Sequence, residues 1–174
     1  MNVLEQAKKT EFLGREFLLW LWFRSETEGG VIDTPELGAV EFAIEGKVVL
    51  QSEGDEGVET VTCSGERPAL REARYALTRQ KQVVQAMIKL AAGDERWSFL
   101  LDSCWFNVKG YKGPKVVMDR NDDPDGLFFE KVLLLERCAR ALDALFEYFV
   151  LLRISPEWEA EERPAVSAWI EAGA

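Results

Sequence analysis

The chain has 174 residues, 47% of them hydrophobic, which suits one domain of residues 1–174 built around one sizeable core. With 31 acidic against 21 basic residues the formal net charge is -10, so the surface as a whole repels polyanions and any nucleic-acid contact has to come from cations gathered locally. There is no histidine, which removes the commonest general base and the commonest imidazole metal ligand, and no metal, cofactor or catalytic residue is expected.

Residues 2–28 read as a long first helix with apolar positions Val3, Leu4, Ala7, Phe12, Leu13, Phe17, Trp20 and Leu21, ended by Gly29 and Gly30. Its start is polar, with no basic segment leading into an apolar one, so no signal peptide is expected and the protein is placed in the cytoplasm. The longest apolar run, residues 17–23, is far short of the roughly 20 residues that span a bilayer, so no membrane partner is expected. Trp20, Trp22 and Phe23 widen the apolar surface beyond one stripe, and such a helix is buried on more than one side, either inside the fold or in a subunit contact. We take these three as interface residues of a homodimer.

Residues 39–44 and 47–51 are apolar and β-branched around Glu45-Gly46, the pattern of a tight hairpin, and 58–63 alternate as a third strand. From Pro68, the positions Leu70, Ala73, Leu77, Val84, Met87, Ile88 and Ala91 predict a second helix running towards Gly93. Trp97, Phe99 and Leu101 alternate as a strand, a strand signal resumes over 104–108, and a short strand is read at 115–118. The acidic break at 121–125 can cap a third helix over 126–152, and Ser155-Pro156 opens a last short helix over 158–170. This order predicts an α+β fold: an antiparallel sheet of about five strands with long helices packed on one face.

Cys63, Cys104 and Cys138 are odd in number and form no CxxC pair, which suits reduced thiols. Cys104 reads as a buried, inert thiol because no histidine exists to activate it. The carboxylates at 11–16 and 122–125 read as helix ends and caps. Basic residues Arg67, Arg71, Arg74, Arg79 and Lys81 cluster at the start of the second predicted helix, where Arg67, Arg71 and Arg74 share a face. They form either an ordinary salt-bridged surface or a stripe that meets phosphates. Lys112 and Lys115, around Gly113-Pro114, sit in a turn with Lys109 just before it.

The run Thr10-Glu11-Phe12-Leu13-Gly14-Arg15-Glu16-Phe17-Leu18-Leu19-Trp20-Leu21-Trp22-Phe23-Arg24-Ser25-Glu26 resembles a stretch in relatives of the recombination-associated protein RdgC. Lys81-Gln82-Val83-Val84, Arg96-Trp97-Ser98-Phe99, Leu134-Leu135-Glu136 and Leu142-Asp143-Ala144-Leu145-Phe146 are similar in order and spacing to the carboxy-terminal half of that family. The likeness covers nearly all of this chain and about half of a typical family member. It implies a non-catalytic protein that binds double-stranded DNA without sequence preference as a homodimer and restrains recombinase activity. The expected phosphate contacts are Arg67, Arg71, Arg74, Lys81, Lys109, Lys112 and Lys115. The rival expectation is a structural or protein-interaction domain that does not bind DNA.

Overall fold

In the computed structural model, residues 3–54, 57–65, 67–116 and 123–173 are described, with side chains left aside at 3–9, 53–54 and 67–71. Helix α1 (Val3–Thr27) is followed by β1 (Val31–Thr34), β2 (Gly38–Gly54) and β3 (Gly57–Gly65). Then come α2 (Arg67–Thr78), β4 (Gln82–Ala92), β5 (Glu95–Asp102) and β6 (Val108–Lys112). The chain ends with α3 (Pro124–Ile154), a π-helical turn (Trp158–Glu162) and α4 (Arg163–Glu171). The strands form one antiparallel sheet in the order β1-β2-β4-β5-β6, with β3 also paired to β2. The α+β architecture expected from the sequence is therefore present, with six strands.

One face of the sheet is buried. Val40, Phe42, Ile44, Val48 and Leu50 of β2, Ala86, Ile88 and Leu90 of β4, and Trp97, Phe99 and Leu101 of β5 join the apolar residues of all four helices in a single core cluster. The alternation on β5, buried at 97, 99 and 101 and half-buried at 98 and 100, is the period-two signature of a sheet with one covered face. Phe17, Trp20, Phe146, Phe149 and Trp158 interlock at the centre, with ring centroids 5.1 Å apart for Phe17 and Phe146 and 5.7 Å for Phe149 and Trp158. Such edge-on contacts suit the ring quadrupoles and add to the burial gain.

The structure corrects four readings of local pattern. Residues 39–51 are not a hairpin but part of one long strand, and the register against β4 shifts between Ile44 and Val48. Gly46, at φ 89°, serves a bulge rather than a turn. The second helix stops at Thr78, and 82–92 is a strand whose buried Ala86, Ile88 and Leu90 alternate with outward Gln85, Met87 and Lys89. Gln80 takes the left-handed conformation, φ 60°, and turns the chain from helix to strand. Residues 103–105 form a turn instead of continuing a strand, with the last strand starting at Val108. Of the short strand expected at 115–118, 115 and 116 have no strand structure and the rest lies outside the described residues.

Helix α3 begins as its sequence requires. Asp123 is the N-cap, its side chain accepting a hydrogen bond from the Asp125 N–H at 3.2 Å, and Pro124 occupies the first turn. Among the described residues, no helix is long and apolar enough to cross a membrane.

Candidate functional site

Arg74, the basic residue of α2 whose side chain is described, is not free to meet phosphates. Arg74 packs its guanidinium 4.4 Å from the centre of the Trp169 ring and pairs with Glu26 at 3.4 Å, and it also donates to the Trp169 carbonyl. Glu26 in turn accepts hydrogen bonds from the indoles of Trp22, at 2.7 Å, and Trp169, at 3.2 Å. One carboxylate thus ties α1, α2 and α4 together, and Arg74 is part of that joint rather than an exposed phosphate ligand. Lys81 is likewise removed from solvent, only 8% exposed, with its ammonium 2.7 Å from Glu59 and donating to Ser52 Oγ at 3.2 Å. Its charge is already matched within the fold. The side chains of Arg67 and Arg71 lie outside the described residues.

Trp20, Trp22 and Phe23 are core residues, exposed by 1%, 0% and 4%. The breadth of apolar surface on α1 is accounted for by packing against the sheet, α3 and α4 within the same chain: Trp20 lies 5.4 Å from Phe149, and Trp22 5.4 Å from Trp169. They are not available as a subunit interface. Cys104 is half-buried in the turn after β5, whereas Cys63 and Cys138 are buried. Burial pushes the Cys138 thiol up to about 11 and raises Cys63 as well, so both stay protonated near neutrality.

The lysines read into a turn have a different fate, since Lys109 and Lys112 lie on β6. Lys109, Lys112 and Lys115 are exposed. Ser98 is paired with Lys112 and Leu100 with Lys109 across β5 and β6, and Ser98 and Leu100 point away from the core. Residues directly opposite in an antiparallel pair share a face, so Lys109 and Lys112 project from the open side of the sheet. Arg96 is two positions from Ser98 on that face, and Lys89 lies opposite Ser98 on β4. Four cations from three adjacent strands thus share the side of the sheet opposite the helical core. Carboxylates of the same face temper them: Lys89 pairs with Glu45, while Asp102 accepts from the backbone N–H groups of Cys104 and Trp105 and from Gln85.

A shallow groove of about 500 Å³ runs across this face, bordered by Glu41, Lys89, Arg96, Ser98 and Lys112. Arg96 and Lys89 were not singled out from the sequence. The signal was the period-two pattern of 82–92, which places Lys89 outward once those residues are read as a strand. Among the described residues, no group of three or more histidine, cysteine, aspartate or glutamate side chains is placed to hold a metal ion. No family model and no curated protein sequence matches the chain.

Proposed function

We propose that the protein is a non-catalytic, DNA-associated module that binds double-stranded DNA without sequence preference through the open face of its sheet. Its role is to modulate recombination, as the resemblance to the RdgC family implies. The observation that carries this reading is the gathering of Arg96, Lys109 and Lys112, with Lys89 beside them, on one sheet face of a chain whose net charge is -10. In so acidic a protein a local cationic face supports attraction to phosphates. Contact of this kind is ionic, releases counterions and is tolerant of sequence.

The test is retention of two unrelated duplexes of equal length on immobilised protein as salt is raised. Equal retention that falls steeply with salt supports the reading. No retention at ~20 mM salt, where screening is weakest, overturns it for this chain.

A second reading, a protein-interaction domain without DNA binding, is favoured by the exposed phenylalanines Phe128 and Phe129 on α3. The same experiment separates the two, because an interaction domain alone gives no salt-dependent retention.

A further inference from the structure

Helix α3 is 31 residues long, but its buried positions, Cys138, Ala141, Leu145 and Phe149, begin only at its middle. Its first half exposes Phe128 by 61%, Phe129 by 68%, Val132 by 44%, Leu133 by 53% and Leu135 by 51%. At 3.6 residues per turn these five side chains cover an arc of about 160°, centred on the side of the helix away from the buried positions. A well-formed N-cap starts this segment, so its apolar face is held out on a regular helix. The patch continues from Leu135 into an apolar groove of about 470 Å³ between α3 and β6, bordered by Phe106, Val108, Tyr111 and Leu142.

We infer that this face binds a second copy of the chain, the two α3 helices running antiparallel about a two-fold axis at the level of Val132 and Leu133. Three observations carry the choice of occupant. The first is area. The five side chains with Val108 and Tyr111 expose on the order of 600 Å² of apolar surface, at the upper end of what a monomer leaves bare. A standard interface takes ~800 Å² from each partner, so this patch supplies most of the area that a stable dimer requires.

The second is charge. On the exposed arc the apolar stretch is bracketed by Asp125 at one end and, at the other, by Glu136 and Arg140, which pair with each other at 2.7 Å, all three exposed. Antiparallel pairing about the level between 132 and 133 brings Asp125 of each copy level with Arg140 of the other. Parallel pairing would set like beside like, so the charges select the antiparallel arrangement. The third is self-complementarity: the same register sets Val132 against Leu133, apolar on apolar, at the two-fold, as an isologous contact requires. This surface is independent of the open sheet face and of DNA binding.

Sedimentation equilibrium of the whole chain over about 1–100 μM, the range in which an interface of this size is expected to associate, reads the proposal directly. A dimer is expected. Val132→Glu together with Leu133→Glu places charges at the two-fold on exposed positions, so far-ultraviolet circular dichroism stays unchanged while association weakens more than tenfold. Asp125→Arg alone and Arg140→Asp alone, the latter also losing the pair with Glu136, each put two like-charge contacts into the dimer and weaken it by up to about tenfold, whereas the two together restore association. A monomer at the highest concentration overturns the proposal and leaves the face to a different partner. A dimer indifferent to the Val132 and Leu133 changes places the contact elsewhere and also overturns it. Failure of the paired charge exchange to restore association rules out the antiparallel register.

Discussion

The guanidinium of Arg74 lies 4.4 Å from the ring centre of Trp169, a residue 95 positions further along the chain. Together with the ion pair to Glu26, it clamps α4 onto α2 and α1. Replacing Arg74 by Ala removes the stacking contact and leaves the Trp169 carbonyl without this donor, at a cost of about 1–3 kcal/mol. Lysine does not rescue it, because an ammonium lacks the planar fork that stacks and donates at once. Urea denaturation of Arg74→Ala and Arg74→Lys checks this. On the proposed reading both should match the wild type in duplex DNA retention, since Arg74 faces the core joint and not the open sheet.

Gly14 makes a different kind of joint. A methyl group built on its Cα would come 1.9 Å from the carbonyl oxygen of Ser103, so α1 passes the turn after β5 in backbone contact. Backbone cannot yield as a flexible side chain does, and Gly14→Ala must push α1 off the sheet end. The gain in helix propensity, ~1 kcal/mol, is outweighed by overpacking, and a net loss of about 1–3 kcal/mol is expected. Equilibrium unfolding of the variant measures it, and a stabilised Gly14→Ala protein would contradict the close approach.

How much of this was legible in the sequence depended on whether the deciding contact was local. The strand at Trp97, Phe99 and Leu101, the third strand and the capped start of α3 rest on period-two alternation and on Asp123 and Pro124, which act within a few residues. The boundary between α2 and β4 was missed because Leu70, Ala73 and Leu77 set up a helical period that Val84, Ile88 and Ala91 continue by coincidence. Only the left-handed Gln80 and the pairing of β4 with β2 break it. The bulge at Gly46 is similar, since a glycine after an acidic residue marks a hairpin turn or a bulge equally well.

The site was harder to read for the same reason. Spacing on a helix says that Arg67, Arg71 and Arg74 share a face. It cannot say that Trp169 and Glu26 cover Arg74, or that Glu59 and Ser52 meet Lys81. The breadth of apolar surface on α1 was visible, but its partners, Phe149 and Trp169, come from helices more than a hundred residues away. On α3 the near-continuous apolar run was equally visible, and only the fold separates the positions that are buried from those left bare.

Cys138 makes the stability depend on alkaline pH. Burial raises its thiol from the ordinary 9.0 to about 11, so between those values the unfolded chain has lost a proton that the folded chain still holds. The unfolded state binds fewer protons there, and stability falls as pH rises. The contribution is fully present below pH 9.0 and is lost progressively up to about 11, by at most ~2–3 kcal/mol. Urea midpoints at pH 8 and pH 10.5 for the wild type and Cys138→Ala isolate it, because lysines and tyrosines titrate in both proteins. The wild type should lose more between the two conditions. Equal losses would mean that the thiol is not held protonated by the core.

Lys109 and Lys112 set the salt dependence expected of the open face. They belong to an edge strand, are exposed, and share a face with Arg96 across the Ser98 pairing, so both can reach phosphates without rearrangement of the sheet. Each neutralised phosphate contributes about 0.9 to the slope of log affinity against log salt, so removing both lysines should reduce that slope by about 1.8 for each copy bound. Their side chains leave the core untouched, and the double alanine variant should unfold within ~0.5 kcal/mol of the wild type. Lys81→Ala is the contrast, because its ammonium is occupied by Glu59 and Ser52: it should lose stability and keep the wild-type slope. Fluorescence anisotropy of a labelled duplex, titrated at several salt concentrations, reads all three slopes. If Lys81→Ala lowers the slope while the Lys109 and Lys112 variant leaves it unchanged, the phosphates lie against β4 and β3 and the open face is not the site.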